Sequence, residues 1–117
     1  MRRDPSEVSR ARRTVGEFLA SSPTEVVTIA QLLTSELVSN AIEHGDGDIT
    51  LRMDCRRGVL KVEVSDGSPH PPLPRRPAID DVRGRGLLVV ERLAAAWGVS
   101  PSAAGPGKTV WFTLRTR

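Results

Sequence analysis

The sequence has few aromatic residues, one cysteine and no long hydrophobic run. It contains two tryptophans, two phenylalanines and no tyrosine, so few rings are available on which nucleic-acid bases could stack. The arginines are scattered instead of being gathered on one helix. Nucleic-acid binding is therefore disfavoured despite a formal charge of +3 and a pI ≈ 10.0. No run of about 18 apolar residues exists, so no membrane-spanning helix is predicted.

The lone cysteine, Cys55, cannot form a disulfide within the chain. It falls in a strand pattern, and we expect it to be a small core residue of a reduced, cytoplasmic protein. No apolar segment follows Met1–Asp4, so no signal peptide is predicted. With 117 residues, the chain is expected to form a single domain over 1–117 with one modest core.

Two helices are predicted at the start of the chain. Each start combines a polar cap, a proline and a glutamate three residues after the cap, in Asp4–Glu7 and Ser22–Glu25. The arginines of the first helix, Arg10, Arg12 and Arg13, are expected to form a solvated face, the alternative being a face used by a partner. The second helix runs from about Pro23 to His44, and Gly45 is expected to end it in the left-handed C′ conformation.

A polar edge follows the apolar stripe of the second helix. The stripe consists of apolar residues at helical spacing, namely Leu33, Leu37, Ala41 and Ile42. Glu36, Asn40 and His44 are four residues apart and therefore lie one above the other. Such polar groups beside a core are costly unless the groove holds something polar. The alternative is a half-exposed seam whose side chains are solvated or cap a neighbouring loop.

The pattern then changes to a period of two residues. Ile49–Cys55 and Leu60–Val64 alternate and predict two antiparallel strands joined by a short turn. Counting in twos, Asp66 falls on the same inward face as the apolar residues of the second strand. An inward carboxylate before Gly67 is hard to satisfy by solvent alone. The alternative is an Asp-Gly turn that faces water.

A proline-rich segment follows, over residues 68–83. Its five prolines exclude a regular helix or a central strand. A loop of this length in a small domain is uncommon unless it is a lid or a binding loop, the alternative being a disordered surface excursion. The arginines in or just beyond it are Arg75, Arg76, Arg83 and Arg85.

Gly84-Arg85-Gly86 opens a predicted third helix that extends to Trp97. Glycines at a helix N-terminus let backbone N–H groups approach an anion, which the helix dipole also favours. A strand fragment at Val99–Pro101 and a final strand at Thr109–Leu114 follow. Strand parity places Lys108 inward and Thr109 on the opposite face.

The order of the elements predicts an α+β two-layer sandwich, with an antiparallel-dominated mixed sheet covered on one face by about three helices. A groove closed by the loop would suit a nucleotide. Asp66 would accept a hydrogen bond from an exocyclic amino group, which favours adenine over guanine, while the glycines and arginines would hold phosphates. Asn40 would offer Mg²⁺ a neutral oxygen ligand. A P-loop motif is absent, so a P-loop site is excluded.

Four segments in order resemble the N, G1, G2 and closing boxes of the GHKL ATPase/kinase superfamily. They are Glu36–Ala41 with His44-Gly45, Val64–Gly67, Gly84–Leu87 and Gly107–Trp111. Within this superfamily, the chain is most similar to the stand-alone anti-sigma regulatory factor kinases, the serine/threonine kinases of bacterial partner switching. The similarity covers nearly the whole chain.

The resemblance implies a Bergerat fold, ATP with Mg²⁺, and two protein partners: a sigma factor and an anti-anti-sigma protein phosphorylated on serine. It assigns Glu36 as the general base, Asn40 to Mg²⁺ and Asp66 to the adenine amino group. Further nucleotide contacts are expected at His44, Gly67, Arg83, Gly84, Arg85, Gly86, Leu87, Lys108 and Thr109. Neither a membrane nor direct nucleic-acid contact is implied.

The chain also departs from the pattern of this family. Met1–Asp4 is too short for a good strand before the first helix, and dimers of the family can use that region, so a homodimer is left open. The threonine of the closing box aligns ambiguously with Lys108 and Thr109. One competing hypothesis is a catalytically silent nucleotide-binding module that switches partners by binding alone. Another, a detached histidine kinase catalytic domain, is disfavoured because no phosphoacceptor helix is visible.

Overall fold

The protein was analysed as a computed structural model that describes residues 4–68, 89–101 and 107–116. Helical conformation is also present at residues 89–93. The elements are helices α1 (Ser6–Phe18) and α2 (Thr24–His44) and strands β1 (Thr50–Arg56), β2 (Val59–Asp66), β3 (Ala96–Pro101) and β4 (Lys108–Arg115). This is the predicted α+β arrangement. In the described part of the chain, no helix has the length and apolar character needed to cross a membrane.

The sheet has the strand order β1-β2-β4-β3. All pairs among the described strands are antiparallel, so the parallel component expected of a mixed sheet is not found among them. The central pair is β2 with β4, and its register places Val62 opposite Phe112 and Asp66 opposite Lys108. This register determines which side chains meet at the end of the sheet that carries the site.

The turn between β1 and β2 consists of Arg57 and Gly58. Both residues have positive φ, 52° and 77° respectively. Two successive left-handed residues define the hairpin turn whose twist matches that of the flanking strands. The short antiparallel hairpin predicted from the sequence is confirmed.

The core lies between the two helices and one face of the sheet. Leu33 and Leu37 of α2 and Phe112 of β4 are almost completely buried in it. Alternate residues of β2 are buried, as the period of two predicts. The buried apolar residues form one cluster: Ala11, Val15, Leu19, Ala30, Leu33, Leu37, Val38, Ala41, Ile49, Leu60, Val62, Val64, Val90, Val110, Phe112 and Leu114.

Gly45 ends α2 in a different way from the one predicted. Its φ of −83° and ψ of −171° are extended, not left-handed. Glycine is required there by space: a Cβ atom would lie 2.5 Å from the carbonyl oxygen of Ala41 and 2.7 Å from Oδ2 of Asp66. The helix therefore ends against the carboxylate of β2.

The third helix ends earlier than predicted, because its helical residues end at 93 and Trp97 lies in β3. The backbone N–H of Ala95 donates to the carbonyl of Thr113 at 2.8 Å, so the chain has already joined β4 there. Gly98 lets the Trp111 ring pack against the strand, since a Cβ on Gly98 would lie 2.8 Å from that ring.

The prediction for Cys55 is wrong, because this residue is exposed. Its strand, β1, pairs only with β2 among the described strands. Cys55 lies near the hairpin end of β1, opposite Leu60. Strand parity gives the correct face of the sheet, but the helices do not cover that face as far as Cys55.

Candidate functional site

The polar edge of α2 lies where the sequence predicts it. Glu36, Asn40 and His44 are all half-buried, and they lie along α2 beside the buried residues Leu37 and Ala41. The Nε2 atom of His44 lies 3.7 Å from a carboxylate oxygen of its neighbour Glu43. Three different polar groups therefore line one side of the helix that ends at Gly45.

Glu36 has an unusual electrostatic environment. Burial raises the pKa of its carboxyl group above 4.5; the nearby Arg12 guanidinium opposes this increase, and the charge of Glu43 adds to it. A carboxyl group with a raised pKa is a better proton acceptor at neutral pH than an ordinary one. This is a property expected of a general base.

Arg12 is a site residue that sequence reasoning missed. Its Nε donates to Oγ of Ser35 at 3.0 Å, and its backbone carbonyl accepts a hydrogen bond from Nε2 of Gln31 at 3.1 Å. Ser35 immediately precedes Glu36, which explains why the guanidinium influences that carboxylate. The sequence gives no signal for this contact, because it depends on the register between α1 and α2.

At the other end of the site, Asp66 and Lys108 form a buried ion pair. The Nζ atom of Lys108 lies 3.1 Å from Oδ1 and 3.0 Å from Oδ2 of Asp66. The two side chains are only 6% and 1% exposed, Lys108 and Asp66 respectively. Both residues point inward as predicted. Their pairing follows from the register of β2 with β4.

The backbone segments around Asp66 pack closely against one another. Ser68 donates its N–H to Oδ1 of Asp66 at 2.7 Å, and Gly67 donates its N–H to the carbonyl of Asp46 at 2.6 Å. Gly107 leaves no room for a side chain, because a Cβ would overlap the carbonyl oxygen of Asp66. Together with Gly45, these contacts join the C-terminus of α2 to the ends of β2 and β4.

Thr109 lies on the opposite face of the sheet from Lys108. Its hydroxyl is 2.7 Å from the hydroxyl of Ser65, its partner across the two strands. Thr109 is therefore separated from the carboxylate of Asp66, whereas Lys108 contacts it directly. Lys108 therefore lies in the candidate site, whereas Thr109 lies on the other face of the sheet.

Several predicted site residues lie outside the described residues. They are the phosphate-binding candidates Arg83, Gly84, Arg85, Gly86 and Leu87, together with nearly all of the predicted lid, 68–83. Within the described ranges, no group of three or more histidine, cysteine, aspartate or glutamate side chains could hold a metal ion. A magnesium ion held by Asn40 would not need such a group, because Mg²⁺ usually takes its other ligands from phosphates and water.

The described residues fit a nucleotide at two places. Within the described part of the chain, Oδ2 of Asp66 accepts only from Lys108, so this oxygen has capacity for one more donor, such as an exocyclic amino group. The polar edge of α2 offers the carboxamide of Asn40 and the carboxylate of Glu36 on the helix that meets Asp66 through Gly45. The carboxylate of Asp66 and the polar edge of α2 are thus connected through the end of the helix at Gly45.

Comparison with known proteins identifies the family of the chain. The profile of the histidine kinase-like ATPase domain family matches residues 1–114. A comparison with curated proteins finds no match.

Two solved structures share the fold. The histidine kinase domain of the blue-light activated histidine kinase from Erythrobacter litoralis EL346 is 21% identical over 96% of this chain, with a TM-score of 0.61. A second structure of this Erythrobacter litoralis EL346 kinase is also 21% identical over 96% of the chain, with a TM-score of 0.64. The chain spans 60% and 41% of those two proteins. The family match covers almost all of the sequence, and the chain belongs to the histidine kinase-like ATPase domain family of the GHKL superfamily.

Proposed function

We propose that this protein is an ATP-binding anti-sigma regulatory factor. It would bind a sigma factor and use Mg-ATP to phosphorylate a serine of an anti-anti-sigma antagonist. The observation that carries the kinase part is Glu36, a half-buried carboxylate with a raised pKa, one helical turn before Asn40. The choice of partners rests on the resemblance of the four sequence boxes to anti-sigma regulatory factor kinases.

Each residue has a distinct role in this proposal. Asn40 would hold Mg²⁺ through its side-chain oxygen, and Asp66 would accept a hydrogen bond from the adenine amino group. Bound with ATP, the metal neutralises charge on the phosphate oxygens. Glu36 would take the proton of the serine hydroxyl while that oxygen bonds to the γ-phosphorus and ADP leaves. Arg12, held on Ser35, would limit the increase in the pKa of Glu36.

A second candidate is the catalytic domain of a histidine kinase. The two solved structures described above favour it, since both come from a histidine kinase. The two candidates differ in the chemistry of the product. A phosphoserine ester survives acid, whereas a phosphohistidine is hydrolysed by acid and survives base. A third candidate, the silent partner-switch module, would bind ATP and transfer nothing.

The proposal predicts that Glu36→Gln abolishes phosphate transfer and spares nucleotide binding. Loss of a general base typically lowers a rate by about 10²- to 10⁴-fold. The measurement is single-turnover transfer from labelled ATP to a panel of anti-anti-sigma proteins, with acid and base treatment of the product. ATP affinity is measured by calorimetry on the same samples.

Glu25→Gln is the matched control, because Glu25 is an exposed glutamate in the first turn of the same helix. It should leave both transfer and binding at the wild-type level. Acid-labile product would favour the histidine kinase instead. ATP binding without transfer to any acceptor would favour the silent module.

A further inference from the structure

We propose that Lys108 recognises the base of the bound nucleotide together with Asp66, its ammonium group donating a hydrogen bond to N1 of adenine. This inference rests on the proposed ATP site and adds a specificity-determining residue to it. The base would then be recognised by two neighbouring groups, the carboxylate of Asp66 as acceptor and the ammonium group of Lys108 as donor, and not by the carboxylate alone.

The first argument is the position of the ammonium group. Nζ of Lys108 lies within 3.1 Å of both oxygens of Asp66, the residue expected to bind the amino group of adenine. Both side chains are buried, at 6% and 1% exposure. Any base that reaches the carboxylate of Asp66 must therefore come close to the ammonium group of Lys108.

The second argument concerns the acceptor sites that remain on the carboxylate. Each carboxylate oxygen can accept about two hydrogen bonds. Among the described residues, Oδ1 already accepts from the backbone N–H of Ser68 and from Lys108, while Oδ2 accepts from Lys108 alone. One site is left, on Oδ2, the oxygen that faces Gly45. A base can use this site while the ion pair stays intact.

The third argument concerns the donors of Lys108. An ammonium group has three N–H donors and no acceptor. The carboxylate of Asp66 is the sole acceptor that Nζ reaches within residues 4–68, 89–101 and 107–116. Two N–H groups are enough for these contacts, so a third is available to a ligand. A buried donor of this kind favours a ligand that brings an acceptor.

Adenine carries the matching pattern. Its exocyclic amino group is a donor, and the adjacent ring nitrogen, N1, is an acceptor. Guanine has the reverse order at the same two positions, an acceptor at O6 and a donor at N1. In the orientation that suits adenine, guanine would place its oxygen against Asp66 and its N–H against Lys108. Sites that leave buried polar groups unpaired discriminate strongly between ligands.

The test is a calorimetric titration of the wild-type protein with ATP, 1-deaza-ATP, 7-deaza-ATP and GTP, each with Mg²⁺. In 1-deaza-ATP a C–H group replaces N1, so the acceptor for Lys108 is lost. We expect it to bind roughly tenfold to a hundredfold more weakly than ATP, as is typical for loss of a hydrogen bond to a charged group. The control analogue, 7-deaza-ATP, keeps N1 and should bind like ATP.

A substitution of Lys108 provides the second part of the test. Lys108→Met removes the donor, and we expect it to bind ATP and 1-deaza-ATP with nearly equal affinity. Lys61→Met is the matched control, because Lys61 lies on the same sheet, near the Trp111 ring and not in the site. It should keep the wild-type preference for ATP. If Lys108→Met does not fold, the comparison of the analogues on the wild type decides alone.

The outcomes separate this inference from the proposed function. Equal wild-type affinity for ATP and 1-deaza-ATP would overturn the role of Lys108 while leaving the ATP site intact. Tighter ATP binding by Lys108→Met would also overturn it, since the lysine would then compete with the base. Absence of binding by every nucleotide would overturn the ATP site itself. Tighter binding of ATP than of 1-deaza-ATP without phosphate transfer would support the inference and contradict the kinase proposal.

Discussion

At the scale of single residues, the burial of Glu36 makes stability depend on pH. Its pKa is raised in the folded protein, chiefly because burial disfavours the charged carboxylate. The neutral form is thus the one that the fold favours. The neutral carboxyl group of Glu36 stabilises the folded state relative to the charged one. This stabilisation is fully present below the unfolded-state pKa and is lost as the pH rises through the folded-state pKa. Deprotonation of Glu36 therefore opposes folding.

The corresponding prediction concerns Glu36→Gln, which removes this charge. The variant should have a higher Tm than the wild type at pH 8, and the difference should decrease as the pH is lowered toward 4, because protonation of the wild-type carboxyl group removes the same charge. Thermal unfolding followed by circular dichroism at the two pH values measures this. Since Glu36 is only half-buried, the shift should be small.

Glu25→Gln again provides the comparison, because Glu25 is exposed and lies on the same helix. A Glu36→Gln variant that is less stable than the wild type at pH 8 would contradict the prediction. It would mean that the carboxylate makes a stabilising contact that outweighs the cost of its burial.

At the scale of secondary-structure elements, the junction of α2 with β2 is the feature on which the site depends. Gly45 ends the helix, and its Cα lies against both the last turn of α2 and the carboxylate of Asp66. Because the conformation of Gly45 is extended, its φ does not favour glycine over other residues. Close packing between the two elements is what requires it.

Gly45→Ala should therefore destabilise the protein and weaken ATP binding together. The added methyl group would lie 2.5 Å from the Ala41 carbonyl oxygen and 2.7 Å from Oδ2 of Asp66, so the helix end or the carboxylate must move. Overpacking of this kind typically costs about 1–3 kcal/mol. Urea unfolding and calorimetry with Mg-ATP are the measurements.

Gly16→Ala is a suitable control within α1. There the new methyl group would meet only the end of the flexible Gln31 side chain, at 2.8 Å. Alanine also favours a helix over glycine by about 1 kcal/mol, so this variant should be at least as stable as the wild type. Equal effects of the two substitutions would show that the junction at Gly45 is not specially crowded.

At the scale of the whole molecule, stability depends on one core shared by both layers. Phe112 is fully buried at the centre of the sheet, opposite Val62 and facing the helices. Phe112→Ala should lower the free energy of unfolding by about 3–5 kcal/mol. This is a large fraction of the roughly 5–15 kcal/mol available to a domain. Urea unfolding measures it.

Thr113→Ala tests whether that loss is specific to the core. Thr113 is the next residue along β4, is half-buried and points to the opposite face of the sheet. Its substitution should change the free energy of unfolding by less than about 1 kcal/mol. A similar loss in both variants would indicate that the second face is also covered.

The family assignment describes the molecule as a whole, and the partners do not follow from it. The sigma factor, the antagonist, a cytoplasmic location and a homodimer stay predictions. They depend on surfaces and binding energies that the fold of one chain does not specify.

The sequence by itself determined the two helices, the first hairpin, the inward positions of Asp66 and Lys108, and the superfamily. These features follow from local periodicity and from short motifs, which act over a few residues. Only the tertiary structure decided that Lys108 pairs with Asp66, that Arg12 approaches Glu36, and that Trp97 lies in a strand while Cys55 is exposed. These depend on strand register, helix packing and the extent of each layer. They involve residues far apart in the chain, and no local pattern encodes how such residues meet.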